Sequence, residues 1–161
     1  IRTALPTPYF WMINGDPLPP GEEVYSVGFP LVFVDRNKKF SERNFNDPVE
    51  PVFSRGDVMS KSQNRYQDVV DIKSAAGASG SPVYDISASF RGVLTALATN
   101  TKQDGASTMD WTYLSSPSAT IEFLNEFKID YSENKSVRPL NATDLYQYGK
   151  NRAGFVLCGE Y

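Results

Sequence analysis

One stretch has residue types and spacing that could do chemistry: Gly77-Ala78-Ser79-Gly80-Ser81-Pro82. Glycine enters backbone conformations that a side chain forbids, so Gly77 and Gly80 can raise the serine between them on a tight turn. Such a turn can aim two backbone N–H groups at one point, which is what stabilises an oxyanion. A serine hydroxyl held there is a candidate nucleophile, provided that a base stands beside it. The chain contains no histidine. The turn therefore poses a question that the rest of the sequence must answer: where its base would come from.

The totals bound what can position the turn. At 161 residues, 40% of them apolar, with nine Tyr, ten Phe and two Trp, the chain is one domain long and can fill a core. Its net charge is −3 and its pI is near 5, and neither value favours a nucleic-acid partner, since phosphate binding usually shows as clustered Lys and Arg. No apolar run approaches the roughly 18 residues of a membrane helix, so no membrane partner is expected. Cys158 is the only cysteine, which excludes an internal disulfide and leaves a zinc site dependent on an unusual all-carboxylate set. No cofactor is expected. The start, Ile1-Arg2-Thr3-Ala4-Leu5-Pro6, has no initiator Met and no signal-peptide core, and predicts a processed chain or a fragment.

Residues 1–20 carry Pro6, Pro8, Pro17, Pro19 and Pro20, which exclude a central strand or helix interior and predict an arm lying over a surface. Tyr9, Phe10 and Trp11 are too apolar for a free tail; they would pack on this domain's core or on a partner domain. From Gly21 the texture becomes β-rich. Strands are expected over 23–29, 31–34, 69–72, 83–85, 90–97 (the longest) and 111–114, and as a bent pair, 51–54 and 57–60, around Arg55-Gly56. Polar loops are expected over 35–50, 61–68 and 99–109. One helix follows, with Ser116 as cap and Pro117 in the first position. Ile121, Phe123, Leu124 and Phe127 fall on one broad face, for docking on the barrel. Residues 129–161 are less regular, and the sequons at Asn134 and Asn141 are short enough to arise by chance. The pattern is an all-β fold, a barrel or sandwich, with one C-terminal helix.

The serine turn has several possible meanings. An α/β-hydrolase elbow needs a glycine two residues after the serine and a helix beyond; here Ser81, Pro82 and a β-like run stand there. A phosphate-binding loop would end in Gly-Lys-Ser/Thr, which is absent. A plain Gly/Ser turn in a β protein remains open on these six residues alone.

The surroundings add a resemblance. The segment Asp71-Ile72-Lys73-Ser74-Ala75-Ala76-Gly77-Ala78-Ser79-Gly80-Ser81-Pro82-Val83-Tyr84-Asp85 resembles the nucleophile segment of trypsin-like serine proteases. The likeness is to their disulfide-poor bacterial branch, which includes the HtrA-type proteases and the glutamyl endopeptidases. Phe90-Arg91-Gly92-Val93-Leu94 is similar to the returning strand with its early glycine. Residues 21–30 resemble the opening of the second barrel, and 111–114 with 117–127 the closing strand and C-terminal helix. Order and spacing agree over roughly 21–127.

The resemblance implies a six-stranded antiparallel barrel over residues 21–128, the second of two. An inter-barrel linker arm over 1–20 and an extension over 129–161 would flank it. It implies a serine endopeptidase with Ser79 as nucleophile and the N–H groups of Gly77 and Ser79 as oxyanion hole, acting on a peptide or protein substrate. The histidine and aspartate would come from an N-terminal half, either bound as a separate chain or lost, after a cut between the barrels. Alone, this chain would be inactive. Lys73 would lie near the base of the substrate pocket, where a cation favours an acidic side chain; most lysines instead point to solvent. Thr95, in the strand 93–96, would line the same pocket. The rival expectations are a non-catalytic pseudoprotease or binding and assembly module that keeps the fold, a viral protease of the same fold, and an unrelated sandwich with a chance turn.

Overall fold

Strand-forming residues punctuated by glycine and proline set the architecture. The computed structural model describes residues 12–29, 50–61, 66–75, 77–101, 107–133 and 138–153, with backbone alone for 97–101 and 107–110. Within them lie β1 (Met12–Ile13), β2 (Glu23–Gly28), β3 (Val52–Lys61), β4 (Gln67–Val70), β5 (Pro82–Asp85), β6 (Phe90–Thr101), β7 (Ser107–Ser115), α1 (Pro117–Glu126), β8 (Ser132–Glu133) and α2 (Ala142–Lys150).

Six of the strands close into an antiparallel barrel. The ring runs β2, β3, β4, β7, β6, β5 and back to β2. Closing a ring this small requires strands that bend. Register shifts supply bends in β3 between Val58 and Ser60, in the β5–β6 pair at Val83/Tyr84, and in β6 between Leu94 and Ala96. Gly92 is a further bend. Its φ is +143°, and a Cβ there would lie 2.2 Å from the carbonyl oxygen of Ser115, so only glycine lets β6 cross β7 this closely.

The barrel interior is filled by one apolar residue or two per strand, including Val24, Val58, Val70, Val83, Leu94 and Leu114. Leu18, from the proline-rich arm, is fully buried in the same cluster. The arm's strand β1 adds to the sheet beside β6, parallel to it and to β8. Tyr9, Phe10 and Trp11 lie outside the described residues, as do the expected strand 31–34 and nearly all of the loop 35–50.

β2 is buried on both faces, which explains the second helix. Val24 faces the core, while Tyr25 and Val27 point outward. Helix α2 covers them: Leu145 packs with Tyr25 and Ala88, and Gly149 sits so close to Val27 that a Cβ would meet its Cγ2 at 2.4 Å. Asn141 starts α2 by accepting from the Asp144 N–H at 2.9 Å, a helix-capping role for a residue that also heads a sequon. Within residues 129–161, helix α2 therefore contributes to the packing of the barrel's outer wall.

Helix α1 begins as expected, with the Ser116 hydroxyl accepting from the Ala119 N–H at 3.2 Å and Pro117 in its first turn. Its apolar face is split, contrary to the single docking face read from the spacing. Ile121 and Leu124 pack against Ile13, Tyr84 and Phe90, whereas Phe123 and Phe127 are exposed and meet each other in a tilted arrangement with centroids 4.7 Å apart. Other boundaries moved outward. β3 is continuous through Arg55-Gly56, and β6 and β7 extend into the expected loop 99–109, because hairpin pairing continues to Thr101 and Ser107. Among the described residues no helix is long and apolar enough to cross a membrane.

Candidate functional site

The serine turn joins β4 to β5, and both sides of it are tied down. On the β4 side, the Asp71 N–H donates to the Asp57 carbonyl at 3.1 Å, and its carboxylate accepts from the Asp57 N–H. Ile72 is buried in the core. Thr112, fully buried on β7, donates its hydroxyl proton to the Ile72 carbonyl at 2.8 Å. Since that proton is committed, the 3.0 Å contact between the Ser74 and Thr112 hydroxyls has Ser74 as donor. On the β5 side, the Gly80 N–H donates to the Leu94 carbonyl at 2.7 Å and the Leu94 N–H returns a bond to the Ser81 carbonyl at 3.0 Å.

Between these anchors the chain turns twice through left-handed backbone. Gly77 has φ +92° and Gly80 φ +89°, conformations that disfavour any side chain. Ala78 drops its methyl into the core, and Ser79, next to it, is exposed. The N–H groups in this turn divide cleanly. Ala78 donates to Ala75 at 3.0 Å, Ser81 to Ala78 at 3.0 Å, and Gly80 to Leu94. Among the described residues, nothing accepts from the N–H of Gly77 or of Ser79, and nothing bonds the Ser79 hydroxyl.

Gly28, at the end of β2, permits this arrangement. A Cβ on it would fall 1.9 Å from Ser81 Oγ and 2.6 Å from Ser81 Cβ. The missing side chain gives Ser81 its buried seat and fixes where the turn leaves the barrel. The Ser26 hydroxyl, one residue pair along β2, donates to the Pro82 carbonyl at 3.0 Å. Sequence reading did not single out Gly28, Ser74 or Thr112. A glycine ending a β-rich run, and a threonine alternating with core Leu114, were the signals present.

Of the residues singled out from sequence, the Leu94 clamp brings the Gly77–Ser79 turn against β6, immediately beside Thr95. Thr95 is exposed on the bulge, and its hydroxyl donates to the Tyr113 carbonyl at 3.2 Å. Lys73 is exposed, and among the described residues no contact joins it to Ser79 or Thr95.

A buried cation lies elsewhere, on β6. Arg91, 1% exposed, lies near Glu22 and Asp85, with Nη–carboxylate distances of 3.7 and 3.8 Å. Asp85 is pushed up by burial, against the lowering influence of the Ser89 and Ser87 N–H groups and of Arg91. Glu22 is likewise raised, by burial first. These groups sit at the Asp85 end of β5, whereas the serine turn adjoins Pro82 at its other end. A four-residue strand separates the two by about 10 Å. They supply no base to Ser79. No group of three or more His, Cys, Asp or Glu among the described residues is placed to hold a metal ion.

In chemical terms, the turn carries one exposed hydroxyl and two backbone donors that have no acceptor among the described residues, on a mount tied down at both sides. Compared with protein-family models and with curated proteins, the chain matches none.

Proposed function

We propose that this chain is the nucleophile-bearing barrel of a trypsin-like serine endopeptidase, with the catalytic histidine and aspartate supplied by an N-terminal half outside it. The observation that carries the reading is the division of N–H groups in the turn. Among the described residues, the donors of Ala78, Gly80 and Ser81 are spent on structure, and those of Gly77 and Ser79, on the turn that carries the exposed hydroxyl, have no acceptor.

In this reading the Ser79 hydroxyl oxygen attacks a substrate carbonyl as the partner half's histidine takes its proton. The developing oxyanion is held by the Gly77 and Ser79 N–H groups. The tetrahedral intermediate expels the amine, which receives that proton, and leaves an ester on Ser79. Water, deprotonated by the same histidine, hydrolyses the ester. The rigid mount contributes because donors that need not reorganise stabilise the transition state most; losing one costs on the order of 10²–10³ in rate.

A second reading, a non-catalytic module that keeps the fold, is favoured by one observation: no base reaches Ser79 within the described residues. One experiment separates them. The chain is exposed to a fluorophosphonate probe alone and together with the sequence encoded immediately upstream of Ile1. Labelling that needs the upstream half and disappears in Ser79→Ala supports the endopeptidase. A folded complex whose upstream half carries His and Asp, and which still leaves Ser79 unlabelled, refutes it in favour of the non-catalytic module.

A further inference from the structure

The sequence contains a single Asn-Gly pair, Asn14-Gly15, and it lies where the N-terminal arm meets Arg91. The Asn14 carbonyl accepts from Arg91 Nη1 at 3.1 Å, and the Asp16 carbonyl accepts from Nη2 at 2.9 Å. The Asn14 side chain folds over the peptide that follows it, with Oδ1 accepting from the Asp16 N–H at 3.0 Å. Among the described residues, neither Asn14 Nδ2 nor the Gly15 N–H has a partner.

We propose that Asn14 is a site of spontaneous backbone modification, at which the Gly15 nitrogen closes on the Asn14 side chain, ammonia leaves, and the arm acquires an isoaspartyl linkage beside Arg91. Each participant is prepared. The nucleophile is the Gly15 nitrogen once hydroxide has taken its proton. The charge left there spreads by peptide resonance onto the Asn14 carbonyl oxygen. That oxygen already accepts from a guanidinium, and a hydrogen-bonded opposite charge favours the ionised form. The electrophile is Asn14 Cγ. Its oxygen gathers negative charge as the nitrogen adds, and the Asp16 N–H is aimed at that oxygen. Glycine puts no Cβ in the path of its own nitrogen. The new bond joins Gly15 N to Cγ; the Cγ–Nδ2 bond then breaks, and Nδ2 takes a proton from water and leaves as ammonia. Water next adds to the cyclic imide and opens it. Because Arg91 polarises the former main-chain carbonyl, the C–N bond there is the one that breaks. This leaves an α-carboxylate against the guanidinium and a main chain routed through Cγ. Nothing is oxidised or reduced.

Folding supplies this arrangement. The Asn14 N–H donates to the Phe90 carbonyl at 3.3 Å, and Gly15 lies against α1, where a Cβ would stand 2.5 Å from Ile121 Cδ1. Arg91, 1% exposed, is fixed in the barrel wall. The dipeptide is thus held at both of its ends, and the entropy of bringing the reacting atoms together is met by packing. In the unfolded chain neither the guanidinium nor the turn is in place. The product carries an extra carbon in the main chain between the two carbonyl positions that Arg91 grips, so the two contacts cannot both persist as they are. The inference stands independently of any protease activity.

Ageing the full chain at mildly alkaline pH, folded in buffer and unfolded in denaturant, tests this. Peptide mapping reads the amide-to-acid mass shift at Asn14, and methylation by an isoaspartyl methyltransferase reads the linkage. Asn14 should convert several-fold faster in the folded chain than in the unfolded one, with isoaspartate as the main product. A turn that only held the side chain still would slow the reaction on folding. Arg91→Met, checked for its fold by circular dichroism, should bring the folded rate down toward the unfolded one. Asn14→Gln, which needs a larger ring, should abolish the signal at that position. An Asn14 that stays intact, converts no faster folded than unfolded, or yields mainly aspartate overturns the proposal. So does a folded Arg91→Met chain with the wild-type rate. If that variant does not fold, the wild-type comparison alone decides.

Discussion

Substituting Gly28 by alanine tests the mount of the serine turn directly. The added Cβ would stand 2.6 Å from Ser81 Cβ and 1.9 Å from its Oγ. Carbon atoms pack best at about 3.5–4.0 Å, so Ser81 must retreat by roughly 1 Å. A side-chain rotation can remove the Oγ contact but not the Cβ contact. The backbone cannot follow freely, because the Ser81 N–H is bonded to Ala78 and its carbonyl to Leu94, both at 3.0 Å. The strain therefore passes into the turn that carries Ser79.

Overpacking of this kind costs about 1–3 kcal/mol. At roughly 2–4 °C per kcal/mol for a chain of this length, Gly28→Ala should lower Tm by about 2–12 °C. The compensating change is Ser81→Gly. It removes both offending atoms and leaves Ser81 Cα at 3.7 Å, an ordinary contact. By itself it should cost about 0.5–1 kcal/mol in backbone freedom. In the double variant the clash is gone, so the combined loss should be smaller than the sum of the singles by about 1–2 kcal/mol, a coupling typical of residues in contact. Denaturant melts of the four proteins measure it. Additive losses, or a Gly28→Ala chain as stable as the wild type, would refute the claim that Ser81 is seated in the space of the missing side chain.

Other positions make separate demands. Gly149→Ala would place a Cβ 2.4 Å from Val27 Cγ2 and 2.9 Å from Val27 Cβ, so α2 must lift from β2; a loss of about 1–3 kcal/mol is expected, with α2 amides losing hydrogen-exchange protection first. Asn141→Ala removes the α2 cap and should cost about 1 kcal/mol by denaturant melt, whereas Asn141→Ser, which keeps an acceptor and sets no second carboxylate against Asp144, should cost little. Burial and the hydrogen bond to Glu23 raise Tyr25 to about 12, so its absorbance should titrate near that value, not near 10. Because the folded form holds that proton more tightly, the stability concerned is present below pH 10 and lost as pH rises toward 12, which a melt series across this range would detect.

The all-β class was legible in the sequence because its strands are short, β-rich and bounded by Gly and Pro, and the capping pair Ser116-Pro117 marks a helix start; the choice of a barrel over a sandwich came only with the resemblance. What was not legible depends on long-range contact. α2 escaped because its apolar residues, Leu145 and Tyr148, are few; the helix is held as much by what β2 turns outward, Tyr25 and Val27, as by its own pattern. The split face of α1 escaped because spacing shows that residues share a side of a helix, not how much of that side a neighbour covers. At the turn, the glycines at 77 and 80 announce left-handed backbone, but the partners that hold it, Leu94, Thr112 and Gly28, come from three other strands. No local pattern names them.

The same topology ties the two notable ends of the barrel together. Leu94, which clamps the Ser79 turn, and Arg91, which clamps the arm, are three residues apart on β6, and the short strand β5 spans the same interval from Pro82 to Asp85. Both clamps therefore ride on one pair of strands, joined at Val83 and Gly92. An arm released at Asn14 to Asp16 would leave the Leu94 clamp untouched, because Leu18 remains anchored in the core between the released segment and β2. Under the proposed function, a chain entering from the N-terminal half reaches the barrel through this arm. Releasing the arm would then weaken association of the two halves while the labelling rate of Ser79 in the assembled complex stayed the same. Damage to Gly28 should do the reverse.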